Sequence, residues 1–260
     1  MMEWVQGLPV YGSGLLIVGG FVVLTVVIGS IVSRLFPQQI RLEHNDLAGF
    51  ILAVIGVVYA VLLAFVAVTV WERFEAAETR SYEEASSLAL VYRDADDFPQ
   101  SEAIRSALRS YTKLVAEDEW PAMAHGRQSA EADALIEQID RMVRQLDVKS
   151  MRQEDVHQQM LVALDQALRD RDTRLTMSST GISAIMWLVL MLGAVVTVAF
   201  TYLFGYKHGP MRSVMAGSLG LLIGLVLFLT VSLDYPFKGG ITIGPEAFED
   251  LHATFQSIGP

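Results

Sequence analysis

The sequence has no cysteine. That excludes disulfides, thiolate nucleophiles and cysteine-ligated metals. Its five histidines, His44, His125, His157, His208 and His252, are scattered without ligand spacing. There is no Gly-rich phosphate loop, no GxSxG elbow and no HExxH pair. No cofactor or metal is therefore expected, and the chain does not read as an enzyme. Basic residues are scarce, 19 against 29 acidic ones, for a net charge of −10. A nucleic-acid platform would need a basic stripe, so nucleic acid is not an expected partner. The first base is Arg34, and no convincing cleavage pattern follows the first apolar run. That run is expected to stay as an anchor rather than leave as a signal peptide.

Charge is also missing from four long stretches, and hydrophobic residues make up 52% of the chain, with a mean hydropathy of +0.40. A bilayer crossing needs about 20 apolar residues. Four segments meet that length: 14–36, 47–71, 182–204 and 213–233. None has Asp, Glu, Lys, Arg or His in its apolar interior, where pumps and voltage sensors place such groups. A passive channel with an apolar constriction needs none there.

The charges concentrate between the second and third spans. Residues 72–180 hold 22 of the 29 acids and 14 of the 19 bases, leaving a net −8. The expected organisation is spans one and two in 1–71, a soluble insert in 72–180, spans three and four in 181–233, and a C-terminal loop or tail in 234–260. Four spans put both termini and the insert on one side. The insert shows no sustained period-2 pattern and reads as helical. Apolar residues recur at helical spacing in Phe74, Tyr82, Ala85, Leu88, Ala89 and Tyr92. They do so again in Ile104, Leu108, Tyr111 and Val115, then in Ala132, Leu135, Ile139, Met142 and Leu146. A last set is Val156, Met160, Leu164, Leu168 and Leu175. Turns are expected at Asp97-Phe98-Pro99 and at Trp120-Pro121 with Gly126. The fold class is an all-α membrane protein whose helical-bundle insert is continuous with spans two and three.

Span two carries small residues at Gly49, Ala53, Gly56, Ala60, Ala64 and Ala67. Small residues let helices approach closely in lipid. They would serve packing on the first span of the same chain or packing between copies around an axis. Bulky faces carry Phe50, Tyr59, Phe65 and Trp71. His44-Asn45-Asp46 immediately precedes this span. Asn or Asp there suits a helix cap. Repeated by symmetry, the triplet would instead form a polar ring at a pore mouth, and Asp46→Asn would then alter selectivity. Glu83-Glu84 and Asp96-Asp97 read as solvated charges. After span four, Asp234, Tyr235, Pro236, Phe237, Lys238, Gly239 and Gly240 open a stretch too rich in Pro and Gly to be helical throughout. It reads as a chain stop, as a pair of interfacial aromatic anchors, or as a shaped loop.

The HND–LAGF start of span two, its Tyr59…Trp71-Glu72 end, EEASSLALVYRDA and LDYPFKGGITIGPEAF together resemble the bacterial bestrophin-like membrane family. The resemblance covers nearly the whole chain. It implies a further likeness to bestrophins, which are homopentameric anion channels with the second helix lining the pore. The element Pro236-Phe237-Lys238-Gly239 resembles theirs. The acidic run of the animal calcium clasp is missing after Phe237, so calcium gating is not implied. The expectation is a homo-oligomeric channel for chloride-like anions in the lipid bilayer of a bacterial inner membrane, with insert and termini cytoplasmic. The alternative is a membrane receptor or scaffold that uses the insert to bind a ligand or partner.

Overall fold

The computed structural model describes residues 10–35, 45–202 and 209–257, and every regular element among them is helical. In chain order these are α1 (Val10–Leu35), α2 (Asn45–Asp94), α3 (Ser101–Leu114), α4 (Trp120–Ala124), α5 (Ala130–Arg144), α6 (Met151–Ser179), α7 (Ala184–Thr201), α8 (Gly209–Leu233) and α9 (Glu246–Ser257). A 3₁₀ turn at Ala95–Asp97 follows α2, and a π-helical turn at Val115–Glu119 joins α3 to α4. The chain divides into two compact units. One draws on Met1–Glu72, Gly181–Asp234 and Gly239–Ile241, the other on Arg73–Thr180, Tyr235–Lys238 and Thr242–Pro260.

The first unit holds the apolar helices. Four are long and apolar enough to cross a membrane, at Tyr11–Gly29, within Ala48–Asp97, at Ala184–Thr201 and at Val214–Leu233. Each buries one narrow stripe: Ile17, Phe21 and Thr25 from α1, Tyr59, Leu63, Val66 and Val70 from α2, Leu190, Ala194 and Val198 from α7, and Ile223, Leu227 and Val231 from α8. The remaining faces stay apolar and exposed, as hydrocarbon requires. Helices come close where one side lacks a side chain. A Cβ on Gly224 would stand 3.2 Å from the Cα of Val18, and one on Gly193 would stand 2.5 Å from the Tyr59 ring.

The second unit has a conventional apolar core. Leu88, Val91 and Tyr92 of α2 meet Ile104, Leu108 and Tyr111 of α3, Ile136, Ile139 and Val143 of α5, and Met160 and Leu164 of α6. Ser129 and Ser150 cap α5 and α6 by accepting the N–H of Ala132 and Gln153. Such caps satisfy one of the donors a helix start leaves open.

Four details differ from the sequence reading. Pro121 does not make the turn. It lies in the first turn of α4, where its missing N–H costs nothing, and the chain reverses at Gly126 with φ +67°. The helix before the third span is not continuous with it: α6 ends at Ser179, Thr180 is extended (φ −112°, ψ 132°), and α7 restarts behind a Ser183 cap. Within the stretch read as loop or tail, Glu246–Ser257 is the helix α9, burying Ala247, Phe248, Leu251 and Phe255 in the core of the second unit. Tyr82, expected on the inner face of α2, is half exposed at 50%. The buried register there is Ala77, Ser81, Glu84, Leu88 and Val91, which turns Tyr82 outward.

Candidate functional site

Helix α2 is 50 residues long, about 75 Å at 1.5 Å per residue. Its sequence holds one register along that length. Tyr59, Leu63, Val66, Val70, Ala77, Ser81, Glu84, Leu88, Val91 and Ala95 follow one another three, four or seven residues apart and are all buried. A seven-residue repeat returns to nearly the same face of a helix. The opposite face is left free. It carries Val54, Val57, Val61, Phe65, Val68 and Trp71 in the apolar half. In the polar half the same face carries the exposed Glu72, Glu75, Glu78, Thr79 and Ser86 with Tyr82.

The sequence candidates in span two therefore separate. Phe50 and Phe65 are on free faces at 71% and 70% exposure, with Ala53, Ala60 and Ala64 also exposed. Gly49 and Gly56 are half-buried, and a Cβ on Gly56 would meet nothing within 4 Å. Among the described residues, then, Ala53, Gly56, Ala60 and Ala64 show no close packing against span one. Close approaches among the described residues are made by Gly14 and Gly29 of α1 and by Gly193, Gly220 and Gly224 of α7 and α8. Tyr59 is apart from the rest. It is buried at 6% and its hydroxyl donates to the Leu190 carbonyl at 3.0 Å. Asn45 and Asp46 begin α2, and His44 lies outside the described residues.

The polar half of α2 is held by charges that sequence reasoning left in solvent. Glu83 is indeed exposed and pairs with Arg80 at 2.8 Å, but Glu84 is fully buried. Its carboxylate accepts from Arg174 Nε at 2.8 Å and Nη2 at 3.1 Å, and from the Tyr111 hydroxyl at 3.1 Å. Arg174 Nη2 also donates to Glu119 at 2.8 Å. Glu119 takes Arg171 as well, which in turn reaches Asp133 at 2.6 Å. The π-helical turn faces Glu119 inward, so the bulge supplies one corner of the network. Burial, with Glu119 nearby, pushes the Glu84 carboxyl up against the opposing pull of Arg174 and Arg171. Burial raises the Tyr111 phenol too, while Glu84 and Glu119 keep Arg174 charged.

The C-terminal motif closes over this network. The Arg174 guanidinium lies 5.0 Å from the Trp120 ring centre and 5.3 Å from that of Phe248. Phe237 meets Trp120 edge-on at 5.5 Å, and Trp120 Nε1 donates to the Ile243 carbonyl at 2.9 Å. Pro236 accepts the Ile243 N–H at 2.9 Å, drawing the loop into a closed turn. Gly239 has φ +101°, a conformation L side chains resist, which is the reason for glycine there. Lys238 Nζ lies 5.2 Å from the Tyr235 ring centre, and Gly240 is exposed. In the apolar unit, the buried Asp234 accepts the Ile182 N–H at 2.7 Å and so ties the end of α8 to the start of α7. The motif is a shaped, docked loop rather than a plain chain stop.

The domain model described as Bestrophin-like matches residues 19–248. The chain belongs to the Bestrophin-like family. No curated protein matches it. Among solved structures, a single-residue variant of a bacterial Bestrophin homolog from Klebsiella pneumoniae superposes with a TM-score of 0.69 at 13% identity. The match covers 94% of this chain and 99% of that one. Another structure of the same homolog gives 0.65 at 12% identity, over 92% and 97% of the two chains. A structure described only as a membrane protein gives 0.67 at 12%, over 94% and 99%. At such identities the likeness is one of fold. This Bestrophin-like chain is a helical membrane protein, and its family match takes in α2, the charge network and the docked C-terminal loop together.

Proposed function

We propose that this Bestrophin-like chain forms an ion channel as a homo-oligomer in the bacterial inner membrane, with α2 of each copy around the axis and lining the path. The observation that carries the reading is the free face of α2. It holds one register from Val54 to Ser86, is apolar in its first half and acidic in its second, and is left exposed among the described residues. An uncharged run can form an apolar constriction that gates by wetting. Asn45 and Asp46 at its start would form the polar ring at one mouth. The insert would surround the path on the cytoplasmic side.

The resemblance to bestrophins implies chloride-like anions. The charge on the face favours the opposite sign. Glu72, Glu75 and Glu78 are exposed on it, and repetition around an axis would stack rings of carboxylate along the path. Such rings concentrate cations and repel anions. We therefore assign the channel to small cations.

The test is the purified protein in liposomes, with copies counted by mass. The expected result is an oligomer of three or more chains that carries potassium faster than chloride. A monomer with no flux contradicts the channel. An oligomer that carries chloride faster keeps the channel and overturns the sign. The receptor or scaffold reading would have the insert bind a ligand or a partner, and a reproducible partner protein with no flux would favour it. The hollow lined by Glu78, Thr79, Tyr82, Glu83 and Ser86 is a shallow one on the same free face of α2.

A further inference from the structure

We infer that Tyr59 and Gly193 together set the rotation of the apolar half of α2 against α7, and so determine which residues its free face presents there. For its effect on ions the inference rests on the channel reading. Its structural content does not.

Tyr59 opens the buried register of α2. The rest of that register in the apolar half is Leu63, Val66 and Val70, all aliphatic. Aliphatic packing has no direction, and in lipid it gains little from burial. It leaves a helix free to turn by a fraction of a residue step, each step being about 100°. Tyr59 removes that freedom at two points. Its ring sits where Gly193 leaves the surface of α7 open, since a Cβ there would come within 2.5 Å of Cδ2 and Cε2. Its hydroxyl then reaches the Leu190 carbonyl, three residues back along α7, at 3.0 Å. Ring edge and ring tip are thus held by the same stretch of α7. A buried hydroxyl without such a partner would carry a desolvation cost, so the bond selects the one rotation that makes it. Thr69 has the other hydroxyl in this half of α2. It bonds Phe65 of its own helix and ties α2 to nothing else.

Tyr59 is therefore a positioning residue. Turned by one residue step, α2 would present Val58, Leu62 and Phe65's neighbours where Val57 and Val61 now stand. A constriction built from this face would change its lining without any change in sequence there.

The absence of native cysteine allows two spin labels to be placed, at Val61 on α2 and Val196 on α7, both exposed. Labelled chains diluted into unlabelled ones report the distance within one chain. The native protein should give a single narrow distance. Gly193→Ala, which forces the ring away, should shift it by about 3 Å, the movement of a helix surface of about 5 Å radius turned by about 40°. Tyr59→Phe, which keeps the ring and removes the donor, should broaden it. If Gly193→Ala does not fold, Tyr59→Phe alone decides. A native, narrow distance in every variant recovered overturns the inference, whatever the flux. A shifted or broadened distance supports it even if the native protein carries no ions, an outcome that ends the channel reading alone. With both intact, the variants should also alter the potassium-to-chloride permeability ratio at unchanged subunit count. A merely structural role would lower yield and leave that ratio alone.

Discussion

The two halves of α2 share one buried register and differ in what holds it. In the apolar half the register is Tyr59 and three aliphatic residues, with a hydrogen bond at its start. In the polar half it passes through Ser81 and Glu84 into a network of Arg174, Glu119, Arg171 and Tyr111. Water supplies the difference. Around the insert the hydrophobic effect drives the core together, and charges buried in it must be fully paired. In lipid there is no such drive, so close approach at glycine and a few directed bonds determine how helices sit. The free faces differ in the same way, apolar in one half and acidic in the other.

Breaking the polar half should cost most. Arg174→Leu strands Glu84, leaves Glu119 with Arg171 alone, and should destabilise the second unit by about 3–5 kcal/mol. Thermal unfolding followed by circular dichroism checks this. Phe50→Ala, on the free apolar face, should shift the same transition by less than about 0.5 kcal/mol. Next comes the docked loop: Phe237→Ala empties the edge-on seat against Trp120 and should cost about 3 kcal/mol in the same scan. Asp234→Ala leaves the Ile182 N–H without its acceptor and should cost about 1–3 kcal/mol. That loss should appear as easier proteolysis between α6 and α7.

The smallest effect is on pH. The folded Glu84 carboxyl lies above its ordinary value of 4.5, so the native state keeps a proton that the unfolded chain has already lost. Stability should therefore fall as pH rises from 4.5 through the raised value. Melting temperatures from about pH 4 to about pH 8 should show this slope, and Glu84→Gln should flatten it. A stability that rises over the same range would contradict the assigned direction.

Much of the insert was legible because soluble helices announce their inner face. Ile104, Leu108, Tyr111 and Val115 were read as one face and are all buried. Glu84 was missed because it stands beside Glu83 and nothing in either residue tells them apart. Only the phase of the register does, since Glu84 lies four residues before Leu88 and three after Ser81. Helix α9 was missed although Phe248, Leu251 and Phe255 carry helical spacing, because the prolines and glycines before it dominated the reading. The break before α7 has a Ser183 cap but no proline, so the apolar run looked unbroken. In the spans the limit is physical. Apolar residues on every face give no period, so the sequence showed a stripe of small residues but not which side of α2 was occupied. The partner that marks it, Gly193 against Tyr59, is far away in the chain.

A free face of α2 that lines an ion path would meet water-borne reagents there. The direct measurement is the current through single channels of Phe65→Cys in a planar bilayer, before and after a water-soluble thiol reagent. The chain has no other thiol, so any effect arises at that position. The expected current reverses near the cation equilibrium potential and is blocked irreversibly within minutes. A current that the reagent leaves unchanged, with the thiol shown to be modified, would contradict a path lined by this face.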